Sequence, residues 1–422
     1  MGDAPAATET LTSASVAAST AGSLAMYVLV KARGIVLVPL YAWLLLPGEI
    51  GVVNLAAAIA TLIAPFLHLG LPTGLLVELA HQRSREDEAR GHATALGLVT
   101  MVMLLSVVAV PLAVRAVAGS ALADVRPHAF AITFFAIGLA LRDVGQIVPQ
   151  LRRETRYLAI LSIAIEYGSA ALGLALVALG GGPGGLLWGT AIVMIAGALA
   201  AVRRSRALTG RAAGRDPAFL RRALTIGLPM LAITTAYTLV QSVDRFFLAR
   251  YQGPAAVGVY SIGYTVASAV LALAATVNLV FLPVAVKLLP GPPARLTAFI
   301  QESLRFLILA LGLCVSGAFL CGAPAVRALA GPAYEMAGRL LPYMVIAYSL
   351  FTIGQLLQWV PMAVTRRVRG VVASHAAVAV LNIILGALLI PRHGMWGAVA
   401  ASVASYATGA ALMAVVARST VR

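Results

Sequence analysis

Apolar residues run in blocks along the whole 422-residue chain, separated by short polar stretches. About twenty apolar residues in an α-helix cross the hydrocarbon core of a bilayer. The blocks therefore predict twelve spans, near 21–45, 51–80, 93–117, 127–150, 157–179, 185–203, 223–248, 257–288, 303–323, 338–361, 370–391 and 395–417. Turn residues punctuate them at Pro47-Gly48, Gly180 to Gly185, Gly253-Pro254, Pro290 to Pro293 and Gly331-Pro332. The longest hydrophilic connection, about 203–222, follows the sixth span. No connection is long enough to hold a separate soluble domain.

Composition agrees with this pattern. The chain is 61% hydrophobic and only 11% charged, with a mean hydropathy of +0.94. A soluble fold needs far more polar residues for its surface, whereas helices in lipid satisfy their own backbone groups. The formal net charge is +16, carried almost wholly by arginine; Lys31 and Lys287 are the only lysines. In a soluble protein such a charge suggests nucleic acid. Here twenty basic residues fall in connections on one side of the predicted membrane and five on the other. The positive-inside rule then makes both termini cytoplasmic, and the alternation requires an even number of spans. The basic connection between spans six and seven, 206–222, divides the chain into lobes at 1–205 and 223–422. No basic region precedes the first apolar stretch, so no cleavable signal is expected. Cys314 and Cys321 lie seven residues apart on one predicted helix, a rise of about 10.5 Å. That is too far for a disulfide, and both read as buried thiols.

The two halves repeat. Pro47 and Gly51 recur as Pro254 and Gly258, an offset of 207 residues. Gly145-Gln146 recurs as Gly354-Gln355, and Pro183, Trp188 and Gly189 recur as Pro391, Trp396 and Gly397. Six spans per half give both halves one orientation, so the repeats are related by an axis along the membrane normal, with substrate sites expected between them.

The stretch from Ala223 to Tyr260 opens the second half and holds Asp244-Arg245 in apolar surroundings. Its pattern of Gly227-Leu228-Pro229, Asp244-Arg245-Phe246 and Gly258-Val259-Tyr260-Ser261 resembles the seventh and eighth helices of bacterial polysaccharide flippases. Leu381-Asn382-Ile383 with Ile390-Pro391-Arg392-His393-Gly394 resembles the last helix pair of that family, and Gly51 with Leu69-Gly70-Leu71-Pro72 its first. These families form the multidrug/oligosaccharidyl-lipid/polysaccharide superfamily. The resemblance implies an all-α, V-shaped pair of six-helix lobes around a central cavity. It also implies translocation of an undecaprenyl-pyrophosphate-linked oligosaccharide across the bacterial inner membrane by alternating access. The lipid-linked substrate and the bilayer are then partners, with a coupling cation (H+ or Na+) and polysaccharide-assembly machinery as further ones.

Charges inside spans are costly and mark cavities or partners. Lys31 and Arg33 lie mid-span in the first helix, where Gly34 and Pro39 permit a bend. By the resemblance, Lys31, Arg33, Arg142 and Arg245 meet the pyrophosphate or acidic sugars. The bland alternative is that one of each group pairs with an acid. Asp143, Glu166 and Asp244 are candidates for ion coupling or for such pairing. Arg142 and Glu166 lie at matched depth on adjacent spans, which predicts an ion pair. Glu78 and Lys287 occupy equivalent positions near the basic side and read as interfacial. His68, His375, Asn54, Asn278, Asn382, Gln355 and Gln358 read as residues that join helices, with sugar hydroxyls as the alternative partners.

Absent chemistry narrows the function. The glycine run at Gly180–Gly185 is followed by no Lys-Ser/Thr pair, and the chain has no HExxH and no CxxC. No nucleophile–base constellation or acidic loop cluster suggests a polymerase or transferase, and no cofactor is implied. A cation-coupled multidrug exporter of the same superfamily would carry acids in its cavity, whereas the first helix here has two bases and no acid in its core. A peptidoglycan-precursor flippase would add two helices. A transport-dead scaffold for glycosyltransferases is separated from these only by a flux assay.

Overall fold

The computed structural model describes residues 34, 36–82, 84–117, 120–210, 214–271, 273, 281, 284–285, 288, 293–364 and 368–421. All regular structure among them is helical. Helical residues 36–44 (α1) are followed by α2 (Pro47–His68), α3 (Leu71–Ala80), α4 (Arg85–Val117), α5 (Ala129–Gly145), α6 (Ile147–Leu151), α7 (Thr155–Leu176) and α8 (Gly182–Thr209). The second half contains α9 (Pro217–Val240), α10 (Val243–Gln252), α11 (Pro254–Ala267), α12 (Pro293–Ala330), α13 (Glu335–Val364), α14 (Val368–His393) and α15 (Met395–Val421).

Nine helical stretches among the described residues are long and apolar enough to cross a membrane. One of them, Thr155–Thr209, covers 55 residues. It folds back at Gly180 and Gly182, whose φ angles of +89° and +51° suit glycine, so α7 and α8 pack as a hairpin. With that stretch counted twice, and with α1 and α11 as parts of two more spans, the arrangement is compatible with twelve crossings. Lys31, Arg33, Asn278 and Lys287 lie outside the described residues.

Two expected spans are broken helices. Span two divides between α2 and α3 at Leu69 and Gly70, both left-handed, with φ of +53° and +69°. Pro72 in the first turn of α3 has no N–H to donate, and Nδ1 of His68 accepts the Gly70 N–H at 3.1 Å. Span seven divides at Gln241-Ser242, between α9 and α10. The linker expected at 206–222 is shorter than anticipated: α8 continues to Thr209, and α9 begins at Pro217. Asp216 caps α9 by accepting the Phe219 N–H at 2.8 Å. On the same basic side Arg204 holds Glu154 through Nε at 2.8 Å, and that hydrogen bond keeps the carboxyl below its ordinary pKa.

Helices pack mainly within each half, α5, α7 and α8 in the first and α13, α14 and α15 in the second. The 38-residue α12 turns Phe306, Leu309, Leu313 and Leu320 outward. Burial was expected of both cysteines on it, but Cys321 is exposed, and Cys314 is half-buried at the edge of the core it packs against. An outward apolar face of this kind suits acyl chains rather than water.

The halves meet along two seams. In one, α2 crosses α11. A Cβ on Gly51 would lie 1.8 Å from the Pro254 carbonyl oxygen, and one on Gly258 would lie 1.9 Å from that of Pro47. In the other, antiparallel α3 and α9 touch at Gly70 with Gly227 and at Gly74 with Ala223. Glu78 closes that seam by accepting from Nε of Arg222 at 2.9 Å. Gly51→Val has no space for its side chain, and such overpacking typically costs about 1–3 kcal/mol. The expected outcome is a lower Tm in detergent. In a Cys314→Ser/Cys321→Ser background, Ser261→Cys should also gain several-fold faster maleimide labelling. Unchanged labelling in a folded Gly51→Val protein contradicts a tight seam.

Candidate functional site

Beyond the Gly51–Gly258 crossing lies a cavity of about 370 Å³. The first half contributes α1, α2, α5, α7 and α8 to its wall, and the second half contributes α11. Its polar lining comprises Tyr41 of α1, Asn54 of α2, Glu166 of α7, Thr190 of α8 and a ladder of Ser261 and Thr265 on α11 and Ser268 in the 3-10 turn that continues it. Spacings of four and three residues put those three hydroxyls on one helix face. Gly34 also lines the cavity, one residue after Arg33 and three after Lys31. Glu166 is the only ionisable carboxylate among the described lining residues, and no described lining residue is a lysine or arginine.

A second cavity of about 300 Å³ lies toward the basic side, between the α2–α3 break, α5, α6 and α9. His68, Thr73, Asp143, Gln146, Gln150 and Thr234 provide its polar lining. Because Nδ1 of His68 accepts from Gly70, the ring proton belongs on Nε2, which faces Oδ2 of Asp143 at 4.0 Å. Arg142 grips the other oxygen of Asp143, Oδ1, through Nε at 3.1 Å and Nη2 at 2.9 Å. Its Nη1 lies 3.9 Å from the Met194 sulfur. The expected Arg142–Glu166 pair is therefore replaced. The adjacent carboxylate is closer and needs no partner from another helix, while Glu166 turns toward the larger cavity.

Asp244 and Arg245 sit inside the second half, and neither lines the two cavities just described. Asp244 is buried and accepts the Tyr260 hydroxyl at 2.6 Å and the Arg245 backbone N–H at 2.8 Å. Arg245 donates through Nη1 to the Gln241 carbonyl at 3.0 Å and stacks over the Tyr264 ring at 4.2 Å. Gln241 is the residue at which span seven breaks, so the guanidinium takes up a carbonyl that the interrupted helix leaves without its usual partner. The Gln241 side chain accepts from the Tyr264 hydroxyl at 2.6 Å, which completes the cluster.

Several residues expected to join helices do so, whereas Asn54 bonds to the Ile50 carbonyl of its own helix. His375 meets Gln358 at 2.9 Å, Gln355 reaches Tyr237 at 3.4 Å and Asn382 reaches Ser405 at 3.4 Å. The sequence reading missed the α11 hydroxyl ladder and Thr190. A three-and-four spacing of Ser and Thr beside a half-boundary was the available signal.

Tyr260→Phe removes a donor from the buried Asp244 carboxylate. A loss of this kind typically costs about 1–3 kcal/mol, to be measured as a fall in Tm in detergent. In an Asp244→Asn background the same tyrosine change should cost much less. Equal losses in both backgrounds break the link between the two groups.

The structure is similar to solved transporters. It matches an inward-facing multidrug resistance MATE family transporter of the MOP superfamily with a TM-score of 0.74 at 15% identity, covering 94% of both chains. It matches the lipid II flippase MurJ, in an inward closed conformation, with a TM-score of 0.72 at 12% identity, covering 95% of this chain and 87% of that one. A MOP superfamily transporter from Pyrococcus furiosus, described as having a binding pocket of reversed polarity, gives a TM-score of 0.61 at 14% identity over 95% and 96% of the two chains. No curated protein matches the sequence. These likenesses show that the chain shares the fold of those transporters. The family model described as polysaccharide biosynthesis protein matches residues 16–289. With that match covering more than half its length, the chain belongs to the polysaccharide biosynthesis protein family.

Proposed function

We propose that this protein is a flippase that moves a lipid-linked oligosaccharide, on a polyprenyl pyrophosphate such as undecaprenyl pyrophosphate, across the bacterial inner membrane. Both termini are cytoplasmic, and lobes 1–205 and 223–422 alternate access to the space between them. The observation that carries this reading is the cavity walled by both halves and lined, beside Glu166, by hydroxyl and amide groups. A polar headgroup can leave water there while its tail stays among acyl chains. The polysaccharide biosynthesis family and the flippase fold support the same substrate class. In this reading the pyrophosphate is met by Lys31 and Arg33, which directly precede a cavity-lining residue. Arg142 and Arg245 act at one remove: Arg142 holds Asp143, Arg245 holds the Gln241 carbonyl, and neither lines this cavity. Glu166, Asp143 and Asp244 are the candidates for coupling to H+ or Na+.

One observation favours a second reading. Glu166 in the cavity would suit an organic cation, as in a drug exporter. Proteoliposomes separate the two. Under the flippase reading, Lys31→Gln/Arg33→Gln lowers translocation of a fluorescent undecaprenyl-pyrophosphate-linked oligosaccharide by roughly tenfold or more per lost charge-assisted bond. Insertion into the membrane and Tm are retained. Transport of ethidium that depends on Glu166, with no movement of the lipid-linked sugar, establishes the exporter instead.

A further inference from the structure

The hydrogen-bonding capacity of the larger cavity is set by bonds its lining residues already make within their own helices. Thr190 Oγ1 donates to the Leu186 carbonyl at 2.8 Å, Thr265 Oγ1 to the Ser261 carbonyl at 2.8 Å and Ser268 Oγ to the Thr265 carbonyl at 2.7 Å. A carbonyl can only accept, so each of these hydroxyls has committed its single hydrogen. What each keeps for the cavity is lone pairs. Asn54 Nδ2 donates to the Ile50 carbonyl at 2.9 Å, which fixes the amide orientation and leaves Oδ1 and one N–H. Ser261 differs from its neighbours on α11. It is only 1% exposed, and its Oγ has no hydrogen-bond partner. A buried hydroxyl without a partner carries a desolvation cost that a ligand can relieve.

The described wall thus offers more acceptors than donors, drawn from α1, α2, α8, α11 and the turn after it; its free donors are the second Asn54 N–H and the hydroxyls of Ser261 and Tyr41. A diphosphate is itself only an acceptor and is anionic. Against the hydroxyl and amide groups of this wall it would find mainly lone pairs. A saccharide hydroxyl gives one hydrogen and takes one or two, and so matches an acceptor-rich wall that holds a few donors.

Resting on the flippase reading, we propose that this wall is the glycan subsite: Thr190, Thr265, Ser268 and Asn54 accept from sugar hydroxyls or amide N–H groups, and Ser261 donates to one. The diphosphate is left to Lys31 and Arg33, as in the flippase reading. Headgroup selectivity then resides in hydroxyls spread over both halves, so the sugar is gripped only when α11 stands against α2 and α8.

The experiment uses the full chain in proteoliposomes with two fluorescent probes. One is undecaprenyl diphosphate bearing a neutral hexose, an N-acetylhexosamine or a uronic acid; the other is bare undecaprenyl diphosphate. The isosteric variants Thr190→Val and Thr265→Val remove the accepting oxygens. Thr61→Val is the control, because Thr61 makes the same intrahelical bond at 2.8 Å but is exposed outside the cavity. The expected result is roughly three- to tenfold slower movement of at least one sugar-bearing carrier per variant. Bare-carrier movement and the control should be unchanged. Equal slowing of both carriers, or no slowing of any sugar-bearing carrier, overturns the subsite.

A second arm works even if neither carrier moves, a result that would sink the flippase reading alone. Ser261→Cys in the Cys314→Ser/Cys321→Ser background is labelled with a maleimide in the presence of free oligosaccharide, inorganic pyrophosphate or ethidium. Protection by the oligosaccharide and not by pyrophosphate supports the subsite. Protection by pyrophosphate or by ethidium alone, or by none of the three, overturns it.

Discussion

The constraint on which the rest depends is the absence of side chains where α2 crosses α11. Apolar helices in lipid gain little from simply touching, since the surrounding tails are as apolar as leucine. Close backbone approach is therefore the main means of holding two such bodies in register. Gly51 and Gly258 supply it, each lying against the first-turn carbonyl of the other's helix. The cavity begins where that contact ends, and its width is set by how far α11 diverges from α2. The α3–α9 seam repeats the device with Gly70, Gly74 and Gly227, and there Glu78 and Arg222 add a bond between charges.

A second theme is how the membrane charges are used. Arg142 and Arg245 answer nearby protein groups, a carboxylate in one case and the carbonyl of a broken helix in the other. Both breaks are stabilised by side chains, His68 for the Gly70 N–H and Arg245 for the Gln241 carbonyl. A guanidinium in a low-dielectric interior is therefore not automatically a ligand site. Its donors are first drawn to whatever backbone the local fold leaves unpaired.

Much of the fold was legible because its determinants are periodic or local. Blocks of apolar residues located the helices, although α4 begins at Arg85 against an expected 93 and α12 runs Pro293–Ala330 against an expected 303–323; the Pro47/Gly51 and Pro254/Gly258 repeat marked what proved to be the crossing of the halves. Positions inside a helix were harder. The Gln241-Ser242 break carries no proline or glycine, and its cause lies in Arg245 and Tyr264, which spacing alone does not bring together. The Arg142–Glu166 expectation failed because depth along a helix says nothing about rotation around it, whereas Asp143 was already adjacent. The hydroxyl ladder of α11 was hidden for a different reason. Ser and Thr in a span usually bond to their own helix, and here they do; only the cavity beside them gives their remaining lone pairs a use.

The crossing of α2 and α11 has a consequence for how such a sequence can change over time. Because each glycine lies on the other's partner turn, the two copies of the duplicated segment are tied to one another. A larger residue accepted in one copy must be answered in the other, by a shift of the facing turn or by a reciprocal change. The likeness of these two segments is thus held at this spot by steric necessity.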